Sequence, residues 1–279
     1  MLNIGIRAHD MGQLSLTELS QQVKEKQLHA VQLAMGKSFG DIYTGHGCMS
    51  SGMATFFGQA FAKNEVTIAV LGCYINMIHP DEKIRKNELK KFKEMLRYAS
   101  DFGCKIVGTE TGTVNPQTGF TLDNYAEEPF LLAVESIKEL VREAEKFGVI
   151  VGIEGGVNHP INDIYKLKRM IDLVDSDNLQ IIFDPVNFIT MDNYQNQVQL
   201  FEESFKLFGN RMTILHMKDF IVENNQIKIV QVGEGLLDYV ALFKILKAKK
   251  PYMFSLLEGT TGTQIDKAIK HVQQAYEQV

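Results

Sequence analysis

Eight short apolar runs separated by longer amphipathic stretches constrain this chain more than any other feature. They are Leu2–Ile6, Ala30–Ala34, Val66–Leu71, Lys105–Gly108, Val149–Ile153, Leu179–Phe183, Met212–His216 and Met253–Leu257. Each is about strand length, and several are rich in Val and Ile. Runs without apolar–polar alternation suit strands buried on both faces, as in a parallel sheet covered by helices. Eight such β-then-α units within 279 residues predict an α/β fold, a closed (β/α)₈ TIM barrel spanning 1–279 as a single domain. A doubly wound open sheet is the alternative. Such sheets usually carry a glycine-rich turn after the first strand, and the turn here, Arg7-Ala8-His9-Asp10-Met11-Gly12, lacks that pattern.

The intervening stretches read as helices with identifiable ends. Ser15-Leu16-Thr17-Glu18 is a capping box. Pro80-Asp81 opens a charged helix expected to run to about Phe102, with Gly103 ending it. Glu127–Phe147 forms another, ended by Gly148. The segment Gly36–Gly52 contains five glycines and His46, and reads equally as a lid over a site or an irregular surface loop.

Charge narrows the function. The net charge is −5, so the chain as a whole does not attract polyanions, and a nucleic-acid partner is not expected. The densest basic run, Lys83 to Lys93, is interrupted by Glu88 and reads as a solvated helix face. The N-terminus has no signal-peptide pattern and no apolar run is long enough to span a bilayer, so a cytoplasmic protein without a membrane partner is expected. Cys48, Cys73 and Cys104 fit that compartment and match no zinc motif; Cys73 and Cys104 read as inert core residues.

In a (β/α)₈ barrel the chemistry sits where strands end. Polar residues directly after the apolar runs are Arg7 and His9, Asn76 and His79, Thr109 to Thr111 with Glu110 between them, Glu154, Asp184 and Asn187, His216 with Lys218 and Asp219, and Glu258. Glu154, Asp184, His216 and Glu258 end four consecutive runs, at separations of 30, 32 and 42 residues, each compatible with one βα unit. Four consecutive strands aim these groups at one point on the barrel axis. Three crowded carboxylates repel one another unless a cation neutralises them. Three oxygen ligands and one imidazole suit one divalent metal ion: Mn²⁺, Mg²⁺ or Co²⁺, with Zn²⁺ also admissible.

Gly152-Ile153-Glu154, Asp184-Pro185-Val186-Asn187, His216-Met217-Lys218-Asp219, Val232-Gly233-Glu234-Gly235 and Glu258 resemble the xylose isomerase-like TIM-barrel superfamily over almost the whole chain. That superfamily includes sugar phosphate isomerases/epimerases, ketose 3-epimerases, inosose dehydratase-like lyases and endonuclease IV-type enzymes. The resemblance implies that Glu154, Asp184, His216 and Glu258 hold the metal. It also implies that Glu154 and Glu258 are catalytic, moving a proton next to the carbonyl of a small polyhydroxy carbonyl substrate through a metal-stabilised enediolate. Many ketose epimerases carry a histidine where this chain has Asn187, and so does endonuclease IV, whose trinuclear zinc site and DNA substrate the acidic charge also disfavours.

His79, Glu110, Asn187 and Lys218 are the candidate substrate contacts. His79 reads alternatively as a cap of the next helix, and Glu110 as a buried partner for a basic residue such as Arg7 or Lys218. Lys218 reads equally as an anion contact or as a support for a carboxylate. His159 reads as a pocket-shaping or surface residue, and Asp219 as a group orienting a ligand. At most one of Arg7 and His9 reaches the pocket centre. Gly233-Glu234-Gly235 reads as a tight turn needing glycine rather than a phosphate site, and Gly259-Thr260-Thr261-Gly262 as the better phosphate candidate. The sequence fixes neither the sugar, its phosphorylation nor the native metal, and it is compatible with a homo-oligomer.

Overall fold

The computed structural model describes residues 2–42 and 44–279. Met1, where the N-terminal reading begins, and Tyr43, inside the segment read as a lid, lie outside the described residues. Barrel strands are β1 (Asn3–Arg7), β2 (Ala30–Leu33), β3 (Thr67–Gly72), β4 (Ile106–Glu110), β5 (Ile150–Glu154), β6 (Leu179–Phe183) and β7 (Met212–Met217). A separate hairpin, β8 (Asp219–Glu223) and β9 (Gln226–Val230), comes next, and β10 (Phe254–Leu257) is the last barrel strand. Helices α1 (Leu16–Glu25), α2 (Met35–Ser38), α3 (Ser51–Lys63), α4 (Glu82–Tyr98) and α5 (Glu127–Phe147) fall in the first half. They are followed by α6 (Ile164–Val174), α7 (Gln197–Phe208), α8 (Tyr239–Lys249) and α9 (Gln264–Glu277).

The eight short apolar runs become the barrel. The strands pair in parallel in the closed order β1-β10-β7-β6-β5-β4-β3-β2, so chain neighbours are sheet neighbours all the way round. Two apolar layers result. A small cluster inside the barrel contains Val70, Ile106, Ile182, Ile214 and Leu256. A much larger one packs the helices against the outside of the strands and is dominated by Phe, Leu and Ile. The inner layer is tight enough to require glycine in two strands. A Cβ on Gly5 would meet the Ala30 carbonyl oxygen at 2.4 Å, and one on Gly108 would meet Ile182 Cδ1 at 2.6 Å.

Helix ends follow the local chemistry. Ser15 and Glu18 make both halves of the capping box. Gly148 closes α5 in the left-handed conformation. The charged helix α4 is capped by Asp81, but it ends at Tyr98, four residues short of the sequence expectation. There Cys104 N–H bonds back to the Ala99 carbonyl and Gly103 takes φ +72°, so the chain turns over residues 99–103.

The hairpin was absent from the sequence reading. Asn224 and Asn225, both at positive φ, form its two-residue turn, with Glu223 opposite Gln226. It explains why His216 and Glu258 are further apart than the other pairs. In the segment 36–52, Gly47 and Met49 donate backbone N–H groups to the Glu94 carboxylate of α4, at 2.6 and 3.3 Å. Among the described residues no helix is long and apolar enough to cross a membrane.

Candidate metal centre

Glu154 is the last residue of β5, Asp184 follows β6, His216 is the fifth residue of β7 and Glu258 follows β10. The closed parallel sheet therefore delivers all four to the C-terminal end of the barrel. One potential ligand atom from each lies within 4.8 Å of the others. All four residues are buried, Asp184 and His216 completely.

The donor set fits a divalent cation on geometry and on charge. Asp184 Oδ2 and Glu258 Oε2 are buried without a hydrogen-bond partner among the described residues, although each lies 2.7 Å from a nitrogen, Lys218 Nζ and His216 Nδ1 respectively. Both atoms thus retain acceptor capacity toward the centre. Asp10, Glu154, Asp184 and Glu258 carry four negative charges, and Arg7 and Lys218 carry two positive ones. With His216 neutral, one divalent ion brings the cluster to zero.

Surrounding contacts hold the four in place. Lys218 Nζ lies 2.7 Å from both Asp184 Oδ2 and Glu258 Oε1, and donates to Asn187 Oδ1 at 2.8 Å. Asn187 Nδ2 donates to Glu154 Oε1 at 2.8 Å, so Asn187 bridges Lys218 and Glu154. Arg7 reaches Glu258 Oε1 at 2.9 Å and grips Asp10 with two N–H groups. On the ring's other side, His216 Nε2 lies 2.8 Å from Gln32 Oε1, and Gln32 Nε2 donates to the Tyr74 hydroxyl.

These contacts set the ionisation of the metal-free site. Burial opposes charge on His216, but the Glu154 and Glu258 carboxylates push it up to about 10. Burial also opposes charge on Glu258, yet His216, Lys218 and Arg7 hold its carboxyl well below the usual carboxylate range. For Asp184 burial wins over the adjacent Lys218, and its carboxyl rises to about 6. Lys218 rises above its ordinary value because Asp184, Glu258 and Glu154 outweigh its burial.

The other candidates fall into place around the cluster. Lys218 takes the carboxylate-supporting role. Of the strand-1 pair, Arg7 touches the centre, while His9 Nδ1 is buried without a hydrogen-bond partner among the described residues. Glu110 does not pair with Arg7 or Lys218; His159 Nε2 lies 3.8 Å from its carboxylate, and its side chain is 44% exposed. The reason is that Arg7 and Lys218 are engaged by Glu258, Asp10 and Asp184. His159 also bonds the Gly112 carbonyl, which fixes the loop after β5 to that after β4. The His79 ring accepts the Asp81 N–H at 3.0 Å, the helix-capping arrangement. Asn76 similarly ties the loops after β3 and β4 through Thr113.

Asp219 orients no member of the cluster directly. Its carboxylate accepts the N–H groups of Phe220, Gly233, Gly235 and Leu237, which folds the chain after the hairpin onto the end of β7. A Cβ on Gly235 would meet Asp219 Oδ1 at 2.2 Å, so the Gly-Glu-Gly motif is a turn wrapped around a carboxylate. Its two glycine N–H groups are engaged and do not face a phosphate. Gly259 N–H likewise goes to Asp10 and Thr261 N–H to Gln231, which removes two donors from the other phosphate candidate. Cys73 and Cys104 are buried, and burial pushes their thiols up to about 12 and about 11, in keeping with inert core residues.

Sequence reasoning missed Gln32, Tyr74 and Asp10. Gln32 is a polar residue within an apolar strand rather than after it, and that position was its only signal.

Comparison with known proteins agrees with this architecture. The family model described as xylose isomerase-like TIM barrel matches residues 21–275. Among solved structures, apo 3-keto-D-glucoside 4-epimerase from E. coli is 18% identical, with a TM-score of 0.72 over 98% of this chain and 100% of that one. D-psicose 3-epimerase from Clostridium cellulolyticum H10, solved with D-tagatose, is 16% identical, with a TM-score of 0.75 over 99% of both chains. The IOLI protein, solved with a bound zinc atom, is 18% identical, with a TM-score of 0.71 over 99% of this chain and 96% of that one. No curated protein sequence matches the chain. With nearly its whole length matched by the family model, and the closed barrel to go with it, this chain belongs to the xylose isomerase-like TIM-barrel family.

Proposed function

We propose that the protein is a divalent-metal-dependent isomerase or epimerase of a small polyhydroxy carbonyl compound. The carrying observation is the pair of buried glutamates on either side of one imidazole nitrogen: Glu154 Oε1 at 3.2 Å and Glu258 Oε2 at 2.7 Å from His216 Nδ1. Glu154, Asp184, His216 and Glu258 hold the ion, which supplies Lewis-acid polarisation of a carbonyl and its neighbouring hydroxyl. Glu154 and Glu258 come from separate parts of the barrel wall, since β10 is separated from β5 by β7 and β6. One removes the proton next to the carbonyl and the other returns it. Return to the opposite face of the same carbon epimerises; return to the neighbouring carbon interconverts aldose and ketose.

The supporting residues fit these roles. Asn187 donates to Glu154 and so fixes the direction of its free lone pairs. Arg7 and Lys218 both favour the charged form of Glu258, so it stands as a carboxylate, the form a base needs. Burial of the cluster excludes bulk water, which strengthens each of these interactions. The epimerases among the similar structures support this reading.

The test is hydrogen exchange. Incubation of the Mn²⁺-loaded protein with a panel of ketoses and inososes in D₂O is expected to place deuterium next to the carbonyl of at least one of them. Glu154→Gln and Glu258→Gln should each lower that rate by about 10²–10⁴-fold. Exchange that persists in both variants would remove the glutamates from the chemistry.

A further inference from the structure

A cavity of about 450 Å³ opens beside the metal centre, between the loops after β5 and β6 and the first turns of α7. Its volume lies within the range of small-molecule sites, ~300–1,000 Å³. None of the four cluster residues lines it. It does share a wall with the centre: Val157 donates its N–H to the Asn187 carbonyl at 2.9 Å, and Val157 and Phe188, the neighbour of Asn187, both line the cavity.

The lining has a consistent chemistry. Asn162, Asn196 and Gln199 contribute primary amides, the last two from exposed residues at the cavity mouth. Asn162 Oδ1 is itself buried, and an unpaired buried acceptor costs about 1–3 kcal/mol, so an occupant that pairs it recovers that cost. An amide both donates and accepts, which complements the hydroxyl group, itself a donor and acceptor. Tyr165, 63% exposed, adds an aromatic face.

Charge limits the ligand. The Asp163 carboxylate is engaged in capping α6, accepting the N–H groups of Tyr165 and Lys166 at 2.8 and 2.7 Å. Glu203 is the other acidic residue of the lining, and no Lys, Arg or His lines the cavity among the described residues. A phosphate or carboxylate would meet no countercharge there. We infer that this cavity binds an uncharged sugar or polyol unit at a site separate from the metal centre. Asn162, Asn196 and Gln199 bond its hydroxyls, and Tyr165 packs against its ring face.

The test is a side-chain amide NMR titration of the full chain with the methyl glycosides of glucose, galactose, mannose and xylose, and with myo-inositol. Saturable shifts of the Asn162, Asn196 and Gln199 resonances are expected, with affinity in the millimolar range. An Asn196→Ala/Gln199→Ala double variant should weaken binding about tenfold or more, the loss of roughly 1.4 kcal/mol, while its Mn²⁺ titration stays unchanged. Absence of saturable shifts with every probe, or shifts that the double variant leaves intact, would overturn the assignment. The metal titration reports independently on the barrel site, so failure of one reading is distinguishable from failure of the other.

Discussion

His216 Nε2 lies 2.8 Å from Gln32 Oε1, and this contact selects which face of the imidazole meets the carboxylates. The amide oxygen accepts only an N–H, so Nε2 keeps its proton and Nδ1 is the nitrogen left for an ion. Tyr74, hydrogen-bonded to Gln32 Nε2, holds the other end of the amide in place. Replacing Gln32 by Leu should therefore weaken Mn²⁺ binding about 10–100-fold, the usual cost of losing a partner that orients a ligand. Calorimetric titration of the two proteins checks this; equal affinities would mean that Gln32 does not orient the ring.

Metal binding should release a proton. In the metal-free protein the His216 imidazole titrates at about 10, so it is protonated at neutral pH, whereas a ligating Nδ1 must be bare. Apparent Mn²⁺ affinity is expected to rise about tenfold per pH unit between pH 6.5 and 8, from displacement of one proton. Titrations in buffers of different ionisation enthalpy measure the proton count directly. A count of zero would take His216 out of the ligand set.

The same shift affects the stability of the metal-free protein with a definite sign. The folded-state value for His216 is raised, so its contribution is fully present below the unfolded value of about 6.5 and is lost as pH rises toward 10. Metal-free protein should lose stability across that window, and His216→Asn should flatten that part of the profile. Thermal unfolding from pH 6 to 10 checks this, and parallel profiles for the two proteins would contradict it.

Lys218 neutralises two carboxylates at once, Asp184 and Glu258, at 2.7 Å each. Lys218→Met leaves both buried with less compensation and should destabilise the metal-free protein by about 3–5 kcal/mol. Excess Mn²⁺ should recover part of the loss, because a divalent ion supplies the missing charge. Chemical denaturation with and without the ion measures both. A loss that Mn²⁺ does not touch would indicate a packing role alone.

Inside the barrel, Gly108 leaves room for Ile182 Cδ1, which a Cβ would meet at 2.6 Å. Gly108→Ala should cost about 1–3 kcal/mol through overpacking. Adding Ile182→Val removes that methyl, so the double variant should be less destabilised than the sum of the two single ones. Additive losses would show that the two positions do not compete for space.

The barrel was legible because its strands are buried on both faces, which gives uninterrupted apolar runs such as Val149–Ile153. The four clustered residues were legible because each is the first polar residue after or at the end of such a run. Gln32 was not, since it lies inside β2 and its neighbours Val31 and Leu33 mask it; only the closed sheet brings it to His216. The hairpin was hidden by the expectation of a helix after every barrel strand, although Asn224-Asn225 between two β-branched stretches is its local signature. Gly233-Glu234-Gly235 read as a glycine turn, whereas Gly259-Thr260-Thr261-Gly262 read as the better phosphate candidate, and in the structure both are held by carboxylates. Their partners, Asp219 and Asp10, lie 14 and 249 residues away from Gly233 and Gly259, a pairing that no local pattern encodes.

Metal analysis of the purified protein tests the four-residue centre most directly. Protein prepared without chelator or nickel affinity steps, and then equilibrated with Mn²⁺, is expected to retain about one divalent ion per chain, and Glu258→Gln to lose it. A wild-type protein that stays metal-free under excess Mn²⁺, or a Glu258→Gln variant that binds the ion as tightly, would contradict the assignment of Glu154, Asp184, His216 and Glu258 as its ligands.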